Sequence, residues 1–164
     1  MWDSESNDLG GFYETISRSA LDGVLEKSDV LALLNHNEDR GVLARSSFGE
    51  GSLLLEIDDI GLKYLFEAPK TALGDELLEG LKRGDIRNSS FAFTVEDDSW
   101  EKRSDGSILR TINKIGQLFD VSPVYFPAYG TTTVQVDQRC LDKVNQFKID
   151  KDYYTELRNK INYD

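Results

Sequence analysis

The 164-residue sequence predicts an α+β domain: an antiparallel or mixed β-barrel core with flanking helices. Three observations lead there. Short runs with period-2 alternation recur along most of the chain, as in Leu53, Leu55, Ile57 and again Leu62, Tyr64, Phe66. One amphipathic helix is written clearly, over Thr71 to Arg83. Past Asp137 the composition turns charged, with apolar residues spaced as in helices. The expected division is a core over 1–136 and a helical tail or extension over 137–164.

In chain order, Met1 to Asp8 is polar and acidic and reads as a frayed or extended end. Gly10-Gly11 precedes Phe12 to Ile16, a short strand. Ala20, Leu21, Val24 and Leu25 recur at helical spacing and predict a short helix from Ser19, which Gly23 weakens. Val30 to Leu34 is an apolar run of strand length that ends in the polar turn Asn35-His36-Asn37. Val42-Leu43-Ala44 predicts another strand, closed by Ser46 to Gly51. Asp58-Asp59-Ile60-Gly61 is turn chemistry between two alternating runs, hence an antiparallel hairpin.

Pro69 ends that hairpin. In the following helix Leu73, Leu77, Leu78 and Leu81 form one face, acids lie early and bases late, and Gly84 suits the C-terminal cap. Phe91, Phe93 and Val95 alternate as a strand. Glu96 to Gly106 reads as a charged hairpin loop, and Ile108 to Leu118 resumes strand character. Phe119 to Ala128 is extended but interrupted by Pro123 and Pro127, and Thr131 to Val136 is a β-branched strand.

Bulk properties narrow the function. With 30 acids against 19 bases the net charge is -11, and no basic cluster exceeds Lys82-Arg83, which argues against nucleic acid as a partner. No apolar run approaches the ~20 residues of a membrane span. The first residues lack the basic-then-apolar pattern of a secretory signal. One cysteine, Cys140, forms no internal disulfide and fits a reducing compartment. One Cys and one His furnish no ordinary zinc site, so no metal and no cofactor are expected.

Candidate chemistry then rests on three places. His36 is the single histidine, and its ordinary titration range near neutrality suits a general base. An exposed His in a polar turn explains it as well. Ser89 and Ser90 stand at the start of the aromatic strand. Alternation places Ser90 with the small Ala92 and Ser89 with Phe91 and Phe93 on the core side, which favours Ser90 as a nucleophile. A pair of hydroxyls satisfying local backbone groups is the competing explanation. Asp120 is an acid wedged in an apolar run, costly unless paired; it could orient a histidine or mark a bend before proline.

Other matches fail on context. Ser99-Trp100-Glu101-Lys102 has Ser-x-x-Lys spacing in a charged segment where nothing would activate the lysine. There is no Gly-x-Ser-x-Gly elbow and no P-loop. Asn88-Ser89-Ser90 is a glycosylation triplet without meaning unless secreted.

Together these pieces resemble the prohead maturation proteases of tailed bacteriophages, which share fold and serine chemistry with the herpesvirus assembly proteases. The motifs occur in the family's order: Gly10-Gly11-Phe12-Tyr13-Glu14-Thr15-Ile16, Ala20-Leu21-Asp22, Ala32-Leu33-Leu34-Asn35-His36-Asn37, Val42-Leu43-Ala44-Arg45-Ser46 with Gly61-Leu62, then Lys82-Arg83-Gly84-Asp85-Ile86 leading into Ser90-Phe91-Ala92-Phe93. Arg110-Thr111-Ile112, Leu118-Phe119-Asp120-Val121-Ser122-Pro123-Val124 and Phe126-Pro127-Ala128-Tyr129 complete the set, from about Gly10 to Val136.

The resemblance implies a herpesvirus-protease-like fold and a capsid-maturation serine endopeptidase, with Ser90 as nucleophile, His36 as base and Asp120 as third member. It implies that the enzyme trims scaffolding segments of the major capsid protein, and itself, inside the prohead in the host bacterial cytoplasm, with oligomers allowed. The alternative is a non-catalytic capsid-assembly or scaffold-binding module on the same fold. Backbone N–H groups, Arg45 and Arg110 are the expected oxyanion donors, unranked. The tail would suit a packaging signal or a self-cleaved extension.

Three departures stand out. Asp120 occupies a place where the family usually has Glu. Ala92 and Ala44 replace glycines. Family members also usually carry a strand upstream of Trp2-Asp3-Ser4, so this sequence is expected to be truncated or to start late and to lack one barrel edge.

Overall fold

A long strand, Ile108–Val124 (β8 in chain order), holds most of the architecture together, because both of its edges are used. A computed structural model describes residues 2–127. Before β8 come β1 (Tyr13–Ile16), β2 (Asp29–Ala32), β3 (Ala44–Ser47), β4 (Glu50–Gly51), β5 (Leu54–Ile57), β6 (Leu62–Leu65), helix α1 (Ala72–Arg83) and β7 (Asn88–Lys102). Short 3₁₀ turns occupy Leu25–Lys27 and Glu38–Arg40. The α+β class therefore stands.

One edge of β8 pairs antiparallel with β7 along its length. The other edge is shared in succession by β1, parallel and in register Ile16↔Ile112, and β2, parallel with Leu31↔Asp120. β3 lies antiparallel on β2 and β4 on β3. The sheet is thus mixed, but among the described residues it is open, and the expected closure into a barrel is not found there. The expected strand Thr131 to Val136, the helical tail and Cys140 lie outside the described residues. No described helix is long and apolar enough to cross a membrane.

The gap on β8 between β1 and β2 is bridged by the segment from Ser17 to Ser28. Its apolar residues Ala20, Leu21 and Val24 are buried as their spacing predicts, but no α-helix forms. The bonds are instead successive i→i+3 turns, Ala20 N–H to Ser17, Asp22 to Ser19 and Val24 to Leu21. Two causes are visible. Gly23 takes a left-handed φ of 66°, which breaks helical propagation. The Ala20 carbonyl accepts from Ile115 N–H of β8 at 2.8 Å, drawing it out of any helical ladder. Further on, the buried Ser28 hydroxyl accepts from Leu118 N–H at 3.1 Å, so β8 keeps its backbone satisfied where no strand lies alongside.

The hairpin predicted around Asp58–Gly61 forms as β5 and β6, with Ile57↔Leu62 closing it, in its own two-stranded sheet. Asp58 Oδ1 accepts from the N–H groups of Ile60 and Gly61, which fixes the turn. Helix α1 also forms as predicted. Thr71 caps it by accepting from Gly74 N–H at 3.2 Å, and Gly84 closes it in the left-handed conformation, φ 77°. Leu77 is buried, with Leu73 and Leu81 packed against the core; each fully buried leucine contributes roughly 1.5–3 kcal/mol. A Cβ at Gly74 would lie 1.9 Å from the Pro69 carbonyl oxygen, so that contact between the helix and the segment leading into it admits only glycine.

Three further expectations are corrected. The strand read at Val42-Leu43-Ala44 begins only at Ala44 and runs to Ser47, because Val42 is exposed and the ladder to β2 starts at Ala32↔Ala44. Glu96 to Gly106 is mostly strand, not loop. Its charges pair across the hairpin, Arg110 Nε to Asp98 Oδ2 at 2.7 Å and Lys114 Nζ to Glu96 Oε1 at 2.5 Å, and the turn itself is confined to Arg103–Ser107. Lastly, β8 runs unbroken through Pro123 to Val124, where an interruption is expected.

Candidate active site

Residues paired across a sheet share a face, so the registers place the candidate residues directly. Ser90 pairs with Ser122 and Ala92 with Asp120 across β7 and β8. Leu31 pairs with Asp120 on one side and Arg45 on the other. One face of the sheet thus carries Arg45, Leu31, Asp120, Ser122, Ser90 and Ala92. The opposite face is the core, with Ala44, Ala32, Val121 and Phe91 in one row.

Ser89 points to that core side, as alternation predicts: it is buried, and Ser90 is only half-buried. Its Oγ lies 2.8 Å from the Tyr64 hydroxyl and 3.3 Å from the Ser122 carbonyl oxygen. One hydroxyl proton serves one acceptor at a time, so Ser89 donates either to the Tyr64 oxygen, the nearer of the two, or to the carbonyl. Burial pushes the Tyr64 phenol up to about 12, partly offset by the Ser89 contact. Ser89 is committed to holding β6 against β8.

His36 reaches the sheet by a reversal of the chain. Beyond β2 the backbone stays on β8 for three residues, with Leu33 N–H donating to the Val121 carbonyl and Asn35 N–H to that of Pro123 at 2.9 Å. It then turns: Asn37 N–H donates to the Leu34 carbonyl, and Asn35 and His36 both have positive φ, 56° and 57°. Two left-handed central residues are the signature of a type I′ turn, and Asn and His are among the residues that tolerate that region best. The reversal is necessary. His36 lies five positions beyond Leu31, the partner of Asp120, roughly 16 Å along a straight strand.

Folded back, His36 Nδ1 stands 2.7 Å from Asp120 Oδ1. An ionised carboxylate only accepts, so Nδ1 carries the proton and the Nε2 lone pair is left for a substrate or nucleophile. The Asp120 side chain is 10 % exposed and that of His36 37 %, one end anchored and the other accessible. Ser122, fully buried, donates its Oγ–H to the same Asp120 Oδ1 at 2.6 Å. Ser90 Oγ and His36 share no direct hydrogen bond; the partner of the imidazole is Asp120.

A β-bulge adjoins these groups. Ala92 pairs with Asp120 but Phe93 with Leu118, so Phe119 is the extra residue and stands out, 41 % exposed. The bulge changes the parity of β8. Leu118 faces the core on one side of it, and Asp120 faces the candidate site on the other.

The two arginines part company. Arg110 is ten residues from Asp120 on β8, roughly 30 Å along the strand, and is bound to Asp98 and Glu14 with its guanidinium 5.4 Å from the Trp100 ring. It is too distant to stabilise an oxyanion at Ser90. Arg45 lies on the face of Asp120, about 10 Å away by strand spacing, and is ion-paired with Asp29, whose carboxyl it holds below the usual range. Among the described residues no group of three His, Cys, Asp or Glu is placed to hold a metal.

Ser122 is the one participant in this cluster whose part residue types alone did not single out. Its signal is the spacing Asp120-x-Ser122, which puts both on one strand face, but only once the strand is known to continue through Pro123.

A family model described as caudovirus prohead serine protease matches residues 1–147 of the chain. No curated protein and no solved structure matches it.

Proposed function

The chain belongs to the caudovirus prohead serine protease family, and from that membership we propose a capsid-maturation endopeptidase using Ser90, His36 and Asp120. A prohead protease works inside the phage prohead, in the host cytoplasm. We take the substrates to be scaffolding segments of the major capsid protein and the enzyme's own chain. The proposal includes the barrel closure and herpesvirus-protease kinship that the sequence resemblance implies.

The observation that carries the site is the 2.7 Å contact between His36 Nδ1 and Asp120 Oδ1, formed across 84 residues of sequence on the face that also bears Ser90. A histidine held by a carboxylate at Nδ1 is a poised base at Nε2. In the proposed reaction Ser90 Oγ attacks the scissile carbonyl as its proton passes to His36 Nε2. The imidazolium, stabilised by Asp120, then returns the proton to the leaving amine. Water, deprotonated by the same base, resolves the acyl-enzyme.

A serine-directed phosphonate tests this. We expect one adduct, located on Ser90 by peptide mass spectrometry, abolished by Ser90→Ala and by His36→Ala. Coexpressed capsid protein carrying its scaffolding segment is expected to be trimmed by the wild type only. Undiminished trimming by Ser90→Ala would overturn the assignment. Absence of the adduct together with binding of the capsid protein would instead favour a non-catalytic assembly module.

A further inference from the structure

We propose that Ser122 is a positioning residue for catalysis, locking the Asp120 carboxylate so that Oδ1 faces the His36 imidazole. The inference rests on the Ser90–His36–Asp120 reading and deepens it.

Ser122 is itself no nucleophile, since its side chain is sealed from solvent. It is pinned from both sides of the sheet. On the core side its carbonyl oxygen lies 3.3 Å from Ser89 Oγ, which is in turn 2.8 Å from the Tyr64 hydroxyl. On the site side its hydroxyl reaches Asp120 Oδ1 at 2.6 Å, while His36 Nδ1 approaches the same oxygen at 2.7 Å. Two donors converge on one carboxylate oxygen.

Sharing Oδ1 has two opposed effects. The hydroxyl draws charge from the oxygen and so weakens the histidine's bond. It also fixes the carboxylate rotamer, which a side chain that is only 10 % exposed but flanked by an open turn would otherwise lose. Ordering wins, because a hydrogen bond to an ionised group is among the stronger polar contacts and orientation of a base multiplies rate directly. Register adds a reason for this residue and no other. Ser122 is the direct cross-strand partner of Ser90, so the hydroxyl that sets Asp120 stands on the rung that carries the nucleophile.

The experiment compares wild type, Ser122→Ala and Ser122→Thr in the full chain. Thermal melts establish folding. The phosphonate is titrated to separate the maximal rate of Ser90 modification from its half-saturating concentration. The low-field proton NMR signal of the Nδ1–H is followed in parallel, unambiguous because His36 is the single histidine. For Ser122→Ala we expect a maximal rate lower by about 10- to 100-fold, an unchanged half-saturating concentration and a displaced Nδ1 proton signal. Ser122→Thr, which restores the hydroxyl, is expected to recover both. Should the alanine variant fail to fold, Ser122→Cys, similar in size but a weak donor, replaces it. A folded variant without the hydroxyl that keeps the wild-type rate and the wild-type signal overturns the proposal. If wild-type Ser90 takes no phosphonate, the catalytic reading itself fails, and an Nδ1 signal unmoved in Ser122→Ala refutes the positioning as well.

Discussion

Replacing Asp120 by Glu is expected to impair the proposed chemistry. The added methylene lengthens the side chain by about 1.5 Å. The existing Nδ1–Oδ1 separation of 2.7 Å is already at the short end for such a bond, so the extra length has nowhere to go along that line. Two adjustments are open. The carboxylate can leave its rotamer, at about 0.5–1.5 kcal/mol, and abandon Ser122, at about 1.5–3 kcal/mol for a bond to an ionised group. Or the Asn35–His36 turn can move, although its backbone is tied to Pro123 and its two central residues are already left-handed. The first is the cheaper, so stability is expected to fall by about 2–4 kcal/mol, read as the urea midpoint. Strain shared by free enzyme and transition state does not slow the reaction; misorientation of the base does. A displacement near 1 Å predicts a roughly 100-fold slower modification of Ser90. The two readouts are therefore separate. A Glu variant as stable and as fast as the wild type would refute the geometry on which the mechanism stands.

Three other outcomes are expected. Asn35→Val places a β-branched residue at φ 56°, costing about 1–2 kcal/mol and loosening His36, whereas Asn35→Gly keeps both stability and Ser90 reactivity; equal behaviour of the two variants would mean the turn is not required. Tyr64, with its phenol pushed up from 10.0 to about 12, binds its proton more tightly folded than unfolded, so its contribution is constant below about pH 10. Between pH 10 and 12 it falls by about 1.4 kcal/mol per pH unit, and alkaline urea titrations of Tyr64→Phe should lack that slope while losing about 1 kcal/mol at neutral pH. Arg110→Ala removes the ion pairs to Glu14 and Asp98 and is expected to lower stability with no change in the rate of Ser90 modification; a slower rate would bring Arg110 back among the catalytic candidates.

What the sequence disclosed divides by the range of the interactions involved. The β5–β6 hairpin and α1 are specified locally, by the Asp58–Gly61 turn, the Thr71 cap and the Gly84 terminus, and their limits could be read within a residue or two. The segment after Ser19 has helical spacing but no helix, because a distant N–H, that of Ile115, takes the carbonyl a helix would need. The charged stretch from Glu96 reads as a loop because its partners, Arg110 and Lys114, lie across a hairpin that composition does not announce. At the site, His36 and Asp120 stand out as misfits of type, one a lone histidine and the other an acid in an apolar run. Their meeting required a turn and a parallel register that neither local stretch encodes. Ser122 is no misfit at all. A hydroxyl before a proline is ordinary, and only the continuity of β8 turns it into a partner of Asp120.

Ala92 and Ala44, which the sequence resemblance sets against glycines, can be weighed on physical grounds. Glycine is favoured where φ is positive and required where a Cβ would meet backbone. Ala92 and Ala44 are absent from the residues with positive φ, both lie within strands, and Ala44 packs its methyl into the core. Neither position strains the chain. Ala92 shares a face with Ser90 and pairs with Asp120, so its methyl sits on the side where a substrate must lie. It leaves the contacts among Ser122, Asp120 and His36 intact and takes up room beside Ser90, the proposed nucleophile. The consequence of Ala92 is therefore carried by substrate shape, which the phosphonate's half-saturating concentration reports, and not by the proton transfer, which its maximal rate reports.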